Sequence, residues 1–389
     1  MKYAIIFGFW LANFMALLSA NNLPFEIVKT PSSTNSLASN LFSFGDSFAL
    51  SWIERDSKST ARLHMASWNK SGFGEKYLIT ASNKMFTNWA DIPSVIEAPS
   101  GDLYAHWLER ISSKNYAYGV QIARSTNHGK NWKPVGWLHN DTSATEHGFV
   151  SLIPEGLNVR AFWLDGRMMT TPTGKMMLRT AVIDEDQIKN ERVLDKDVCT
   201  CCPTSAVQLP NGPVVVYRDR SSQEIRDISF ILRSDDKWSK PSTLQSDNWL
   251  MPGCPVNGAS IAARKDLVAV SRFTVIHNKS QVILRLIKNK NMKSGKDIIL
   301  DKNAPIGRCV TVCSKDSIFT AWIGLHKKQT VLRLAEVSPV GEIIRHSTLT
   351  TINANRSSGM PRAIISRGYL WLSWTDSNII RFGRLKIDG

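Results

Sequence analysis

The chain has 389 residues, 43% of them hydrophobic and 21% charged, with a formal net charge of +15 and six cysteines. One conventional core stops growing near 250–300 residues, so a single layered domain is excluded unless the chain stacks small repeats. The basic balance favours anionic partners, but the lysines are scattered without a dense run, which argues against nucleic acid.

Lys2 precedes an apolar run over 4–18 that is short for a membrane span, and Ser19-Ala20 offers a small-residue cleavage site before Asn21. Residues 1–20 are therefore expected to be a signal peptide and 21–389 one exported domain, periplasmic or extracellular. No second long apolar run follows, so no membrane anchor is expected after cleavage. A monomer is expected.

Beyond the leader, one pattern recurs. A turn is followed by a short apolar strand that ends in an aromatic residue and then, in several copies, in charged residues. The aromatics are Trp52, Trp107, Trp163, Tyr217, Phe273, Trp322 and Trp374, spaced 49 to 56 residues apart. Units of about 50 residues with several short strands are the signature of propeller blades. The second unit parses as strands over 94–98, 103–108, 116–124 and 133–138, rich in β-branched and aromatic residues with Gly, Asn, Asp and Ser at the turns. Helical periodicity is close to absent. The last unit runs out after three strands, and the lone strand over 25–30 is expected to complete it, closing the ring and removing exposed sheet edges. The expected fold is an all-β propeller of four-stranded antiparallel blades, seven by this count, with six or eight if one copy is misread.

Within the second unit lies Ser125-Thr126-Asn127-His128-Gly129-Lys130-Asn131-Trp132, and a worn copy, Ser234-Asp235-Asp236-Lys237-Trp238, falls at the same place in the fourth. The first resembles the Asp-box, Ser-x-Asp-x-Gly-x-x-Trp, of sialidase-like propellers with BNR repeats, Asn127 standing in the Asp position. That resemblance implies the fold, and in it the box is a structural turn. A sialidase also carries an Arg-Ile-Pro motif in the first blade, three arginines that hold the substrate carboxylate, a Tyr–Glu pair and an acid/base Asp. The equivalent first-blade stretch here reads SLASNLFSF, and no Tyr–Glu pair is identifiable. Exo-sialidase-type hydrolysis is left open, and an exported propeller that binds an anionic glycan or similar small molecule is the expectation.

In a propeller the loops entering the inner strand and those leaving the second strand share one face, where ligands bind. Asp91, Asp165 and Asp219 on these loops are candidates for acid/base work. Arg110, Arg167, Arg218 and Arg220 could bind an anion bidentately, or could clamp their own loops to neighbouring acids. The same face carries Cys199, Cys201, Cys202 and Cys254. Three readings stay open for them: a disulfide from Cys199 or Cys202 to Cys254, a thiolate site for copper(I) or zinc with His147 as a further ligand, or a redox-active pair. Cys309 and Cys313, four residues apart on one strand, are too far apart to bridge each other. The class competing with glycan binding is a non-enzymatic metal- or thiol-handling or assembly factor.

Overall fold

The computed structural model describes residues 24–56, 59–288, 292 and 294–387. The expected signal peptide lies outside them. None of the helices among the described residues is long and apolar enough to cross a membrane. The one helical element among the described residues is a single 3-10 turn at Arg167–Thr170.

Seven antiparallel sheets are arranged as blades, consecutive in sequence except for the last. Their inner strands are Ser36–Phe44, Ser94–Glu97, His147–Glu155, Ser205–Leu209, Ser260–Arg264, Gly307–Cys313 and Arg362–Ser366. The second strands are Ser47–Arg55, Leu103–Arg110, Asn158–Asp165, Gly212–Arg218, Leu267–Ile276, Ile318–His326 and Tyr369–Asp376. Each second strand carries one of the seven spaced aromatics. In blade 4 the outer edge is divided, with Lys237–Trp238 and Ser242–Thr243 both pairing with Ile228–Ser234.

Blade 7 is completed by Glu26–Ile27, which pairs antiparallel with Ile379–Lys386 in the register Glu26↔Arg384 and Ile27↔Gly383. Val28 N–H donates to the Phe382 carbonyl at 2.9 Å, and Glu26 pairs with Arg384 at 2.7 Å. The expected closure by the first strand therefore holds, though the regular pairing is shorter than 25–30.

Alternation along the strands puts apolar side chains on both faces of every blade, and these meet between neighbours. Blades 2 and 3 share a buried cluster with Tyr104, Tyr118, Trp163 and Ile183, and blades 7 and 1 share Phe48, Trp52, Trp68, Trp371 and Phe382. Burying such surface is the main stabilising contribution. The core is thus a ring of inter-blade wedges around a central channel. The channel holds a cavity of about 450 Å³ lined from all seven blades, for example by Phe42, Ile92, Leu152, Ser205, Ile261, Val310 and Ala363.

The Asn127 turn is tied by its own side chains. Gly129 N–H donates to Ser125 Oγ at 2.9 Å, Asn131 N–H to Asn127 Oδ1 at 2.9 Å, and Trp132 Nε1 to the Gly129 carbonyl at 3.0 Å. Gly129 has φ +81°, and a Cβ there would stand 2.5 Å from Met65 Sδ of blade 1, so only glycine fits both the backbone and the space. The worn copy in blade 4 folds differently. It is three residues shorter, and Asp235 and Asp236 (φ 50° and 60°) form the two-residue turn of a plain hairpin.

Candidate functional site

The charged residues that follow the spaced aromatics mostly face inward to the repeat. Trp52 Nε1 donates to Glu54 at 2.8 Å, Trp107 Nε1 to Glu109 at 2.9 Å and Trp163 Nε1 to Asp165 at 2.9 Å. In blades 4 and 6 the acceptor comes from the outer strand of the blade before: Tyr217 donates to Asp195 at 2.6 Å and Trp322 to Asp301 at 2.8 Å. A buried indole N–H needs an acceptor; in blades 1 to 3 the acid two residues on supplies it, whereas in blade 7 Trp374 Nε1 is buried without a partner among the described residues.

Asp165 is fully buried. It accepts from Trp163 and from Arg167 Nε at 2.7 Å, with His147 Nε2 at 3.8 Å. Burial alone would raise its pKa, but the Arg167 hydrogen bonds and the His147 ring bring it below the usual carboxylate value. Asp219 accepts from Arg220 N–H at 2.8 Å and Ser229 Oγ at 2.9 Å, and burial pushes its pKa up. Asp91 is 1% exposed, and both its oxygens lie 2.8 Å from the N–H of Phe149. The three aspartates share no hydrogen-bond partner and no ion pair with one another.

Phe149 sits at a bulge in the inner strand of blade 3 with φ 52°. The same device recurs in blades 1 and 6, where Ala38 N–H is received by Thr375 Oγ1 at 3.2 Å and Arg308 N–H by Asn257 Oδ1 at 2.7 Å. Bulges re-aim side chains, and here each freed N–H is satisfied by the preceding blade. Asp91 differs from its counterparts in being an acid. Burial first, and the Glu146 charge as well, push its pKa up to about 7, against the pull of Arg362.

Three of the four arginines singled out in the sequence are internally engaged. Arg167 pairs with Asp165 and with Glu191 at 2.8 Å, and Arg220 pairs with Glu224. Arg218, 1% exposed, donates to the carbonyls of Asn257, Arg226 and Phe273 and stacks 4.7 Å from Trp249. It ties blade 4 to blade 5. Arg110 alone has no carboxylate partner among the described residues. Its guanidinium lies 4.8 Å over Phe86 in a rim groove of about 380 Å³ that includes Trp89.

Sequence reasoning missed the arginines that gather near Trp89. Arg308 stacks on that ring at 4.4 Å and Arg356 at 5.9 Å. Arg362 reaches the central cavity together with Asp91 and shares an adjoining pocket with Arg308. None of the three forms an ion pair among the described residues. Arg308 donates to the Ser358 carbonyl at 2.5 Å, and Arg362 Nε is buried without a partner. Burial, with the charge of Arg356, brings Arg308 down to about 10, and burial brings Arg362 to about 10 against the opposing charge of Asp91. Arg308 and Arg362 stand in segments entering inner strands, on the face where propellers bind ligands, but nothing linear points Arg308 to Trp89 or Arg362 to the central cavity.

The cysteines form the second cluster. All six are free thiols, so the alternative reading of a bridge from Cys199 or Cys202 to Cys254 is not what the structure shows. Cys199 Sγ lies 3.0 Å from Cys202 Sγ and 3.9 Å from Cys201 Sγ, and the three sulfurs all stand within 4.8 Å of one another. Cys254 approaches from the loop between blades 4 and 5, with Sγ 3.8 Å from Thr200 Oγ1. Hydrogen bonds from Cys201 and Cys202 hold the Cys199 thiol well below its usual range, and those from Cys201 and Thr200 bring Cys254 to about 6. His147 does not join the sulfurs. Its Nε2 faces Asp141 at 3.0 Å and its ring stacks on His139 at 4.0 Å, because it belongs to the clamp around Asp165.

No family model matches the sequence, and no curated protein matches it. In structure the chain is similar to an ancestral GH74 enzyme at 11% identity and TM-score 0.56, over 94% of this chain and 51% of that one. The fold is that of a seven-bladed β-propeller. The β-propeller domain of the trilobed protease from Pyrococcus furiosus aligns at 10% identity and TM-score 0.49, over 90% of this chain and 95% of that one. Trypanosoma rangeli sialidase in complex with the inhibitor DANA aligns at 11% and 0.48, over 83% and 57%. The chain thus spans little more than half of the GH74 enzyme and of the sialidase. Identities this low establish the fold, and residue roles come from the geometry of this chain.

Proposed function

We propose that this protein is an exported propeller that binds an anionic small molecule, a carboxylate-bearing glycan or a similar acid, at the channel mouth beside blades 2, 6 and 7. The observation that carries the reading is the group of Arg308, Arg356 and Arg362, three guanidinium groups around Trp89 and the cavity without an ion pair. Buried cations without an ion-pair partner are costly in the free protein, as the pKa values of Arg308 and Arg362, lowered chiefly by burial, reflect. A bidentate anion would relieve that cost, since a planar guanidinium matches a carboxylate or sulfate fork. Arg110 on the rim supplies a further unpaired charge. Asp91, its pKa raised to about 7, carries a proton part of the time near neutral pH, which weakens the repulsion an ionised acid would exert on the ligand.

The first test is calorimetric titration of the purified protein with sialic acid, glucuronic acid and a sulfated sugar. At least one is expected to bind, more weakly at high salt, and Arg362→Ala and Arg308→Ala should each weaken it by about tenfold or more. Absence of binding for all three, or equal binding by both variants, would overturn the reading. Fluorogenic glycosides of the same acids then report whether binding is followed by hydrolysis.

A further inference from the structure

We propose that Cys199, Cys201 and Cys202, with Cys254 at the open side, form a binding site for one thiophilic metal ion, copper(I) or zinc(II). The site uses different atoms from the anion site and stands independently of it. Two thiolates bonded to one ion at about 2.3 Å stand roughly 4 Å apart. Cys199 and Cys201 already do, at 3.9 Å, and Cys202 lies within the same group.

The segment is held in place by its surroundings. Val198 bridges Asp219, and Cys199 N–H donates to the Arg218 carbonyl at 3.0 Å. On the other side the loop bearing Cys254 packs so closely that a Cβ at Gly258 would lie 2.1 Å from the Pro203 carbonyl oxygen. Sulfurs positioned by two blades in this way require little rearrangement to take an ion.

A second observation points to a ligand. Arg226 is 4% exposed, its Nη2 reaches Glu224 at 2.6 Å, its buried Nε and Nη1 have no nitrogen or oxygen acceptor, and its further side-chain contact is with the Cys199 sulfur. Its charge acts on the Cys199 and Cys254 sulfurs. A metal held by three thiolates is a net anion, and a buried guanidinium beside it is the outer-shell partner such a site needs. Cys254 is exposed, which leaves an entry path and a fourth position. Cys309 and Cys313 form an internal contrast, because they line the inner strand of blade 6 and belong to no such group.

The experiment uses the full mature chain, reduced and freed of metal, titrated with copper(I) and separately with zinc(II) against chromophoric chelators. One equivalent of at least one ion should bind, with sulfur-to-copper absorption in the ultraviolet when the ion is copper. Cys199→Ser and Cys202→Ser should weaken binding by roughly 100-fold, Cys254→Ser by less, and Cys309→Ser should change nothing. Circular dichroism checks that each variant folds. Should the Cys199 or Cys202 variants fail to fold, X-ray absorption on the loaded native protein must show sulfur neighbours. Absence of stoichiometric uptake of either ion, a disulfide between Cys199 and Cys202 that resists reduction, or equal binding by the folded serine variants would overturn the proposal.

Discussion

At the residue scale, Asp91 and Asp165 show how identical side chains acquire opposite roles. Asp165 is ionised and surrounded by Arg167, Trp163 and His147. Asp165→Ala would leave the Trp163 indole N–H without its acceptor and Arg167 with Glu191 as its remaining ion-pair partner, and a loss of about 1–3 kcal/mol in denaturant unfolding is expected. Asp91 holds its proton up to about pH 7. Its folded pKa of about 7 lies above the unfolded value of 3.8, so its contribution is complete below about pH 4 and is lost as the pH rises through 7. Asp91→Asn should keep the acceptor for Phe149, as Asn257 does for Arg308, and should flatten the fall in stability between pH 4 and 7. The difference amounts to a few kcal/mol at most, and melting curves across that range measure it. A variant whose slope matches the native protein would exclude this role.

At the element scale, the blade turns carry the local information. The Asn127 turn was legible because its hydrogen-bonding side chains, its glycine and its tryptophan are contiguous in sequence. Gly129→Ala is expected to cost about 1–3 kcal/mol, since alanine must adopt a positive φ and push against Met65. Thermal unfolding of the variant checks this, and an unchanged midpoint would mean the turn relaxes freely. The inner-strand bulges at Ala38, Phe149 and Arg308 were not legible, because each depends on an acceptor from another blade.

At the scale of the whole molecule, ring closure rests on a very short strand. Glu26–Ile27 and the Val28 bond cover the edge of Ile379–Lys386, and Phe25 packs 6.1 Å from Trp374. Val28→Pro removes one of these bonds, and deletion of residues 24–28 removes them all and exposes a strand edge. The deletion is expected to lower stability by about 2–3 kcal/mol and to increase light scattering on heating, with Val28→Pro intermediate. A deletion variant as stable and as monodisperse as the native chain would show that closure lies elsewhere.

The sequence by itself determined the propeller architecture and the repeat of seven spaced aromatics, while the count of seven blades, open between six and eight in sequence, is fixed by the sheets. Architecture and repeat depend on spacing, alternation and turn chemistry, which recur along the chain and need no partner to be read. It also marked the cysteine stretch, because three of the four thiols fall within four residues. Which charged side chains are free to bind was decided only by the tertiary structure. Arg167, Arg218 and Arg362 look alike in sequence, each beside a strand end. Folding brings Arg167 to acids, Arg218 to three carbonyls of its own and neighbouring blades, and Arg362 to the channel wall without an ion pair. The fate of a charge depends on what its own and the neighbouring blades place within about 4 Å of it, and those partners lie anywhere from 2 residues away (Asp165 for Arg167) to 55 (Phe273 for Arg218) along the chain.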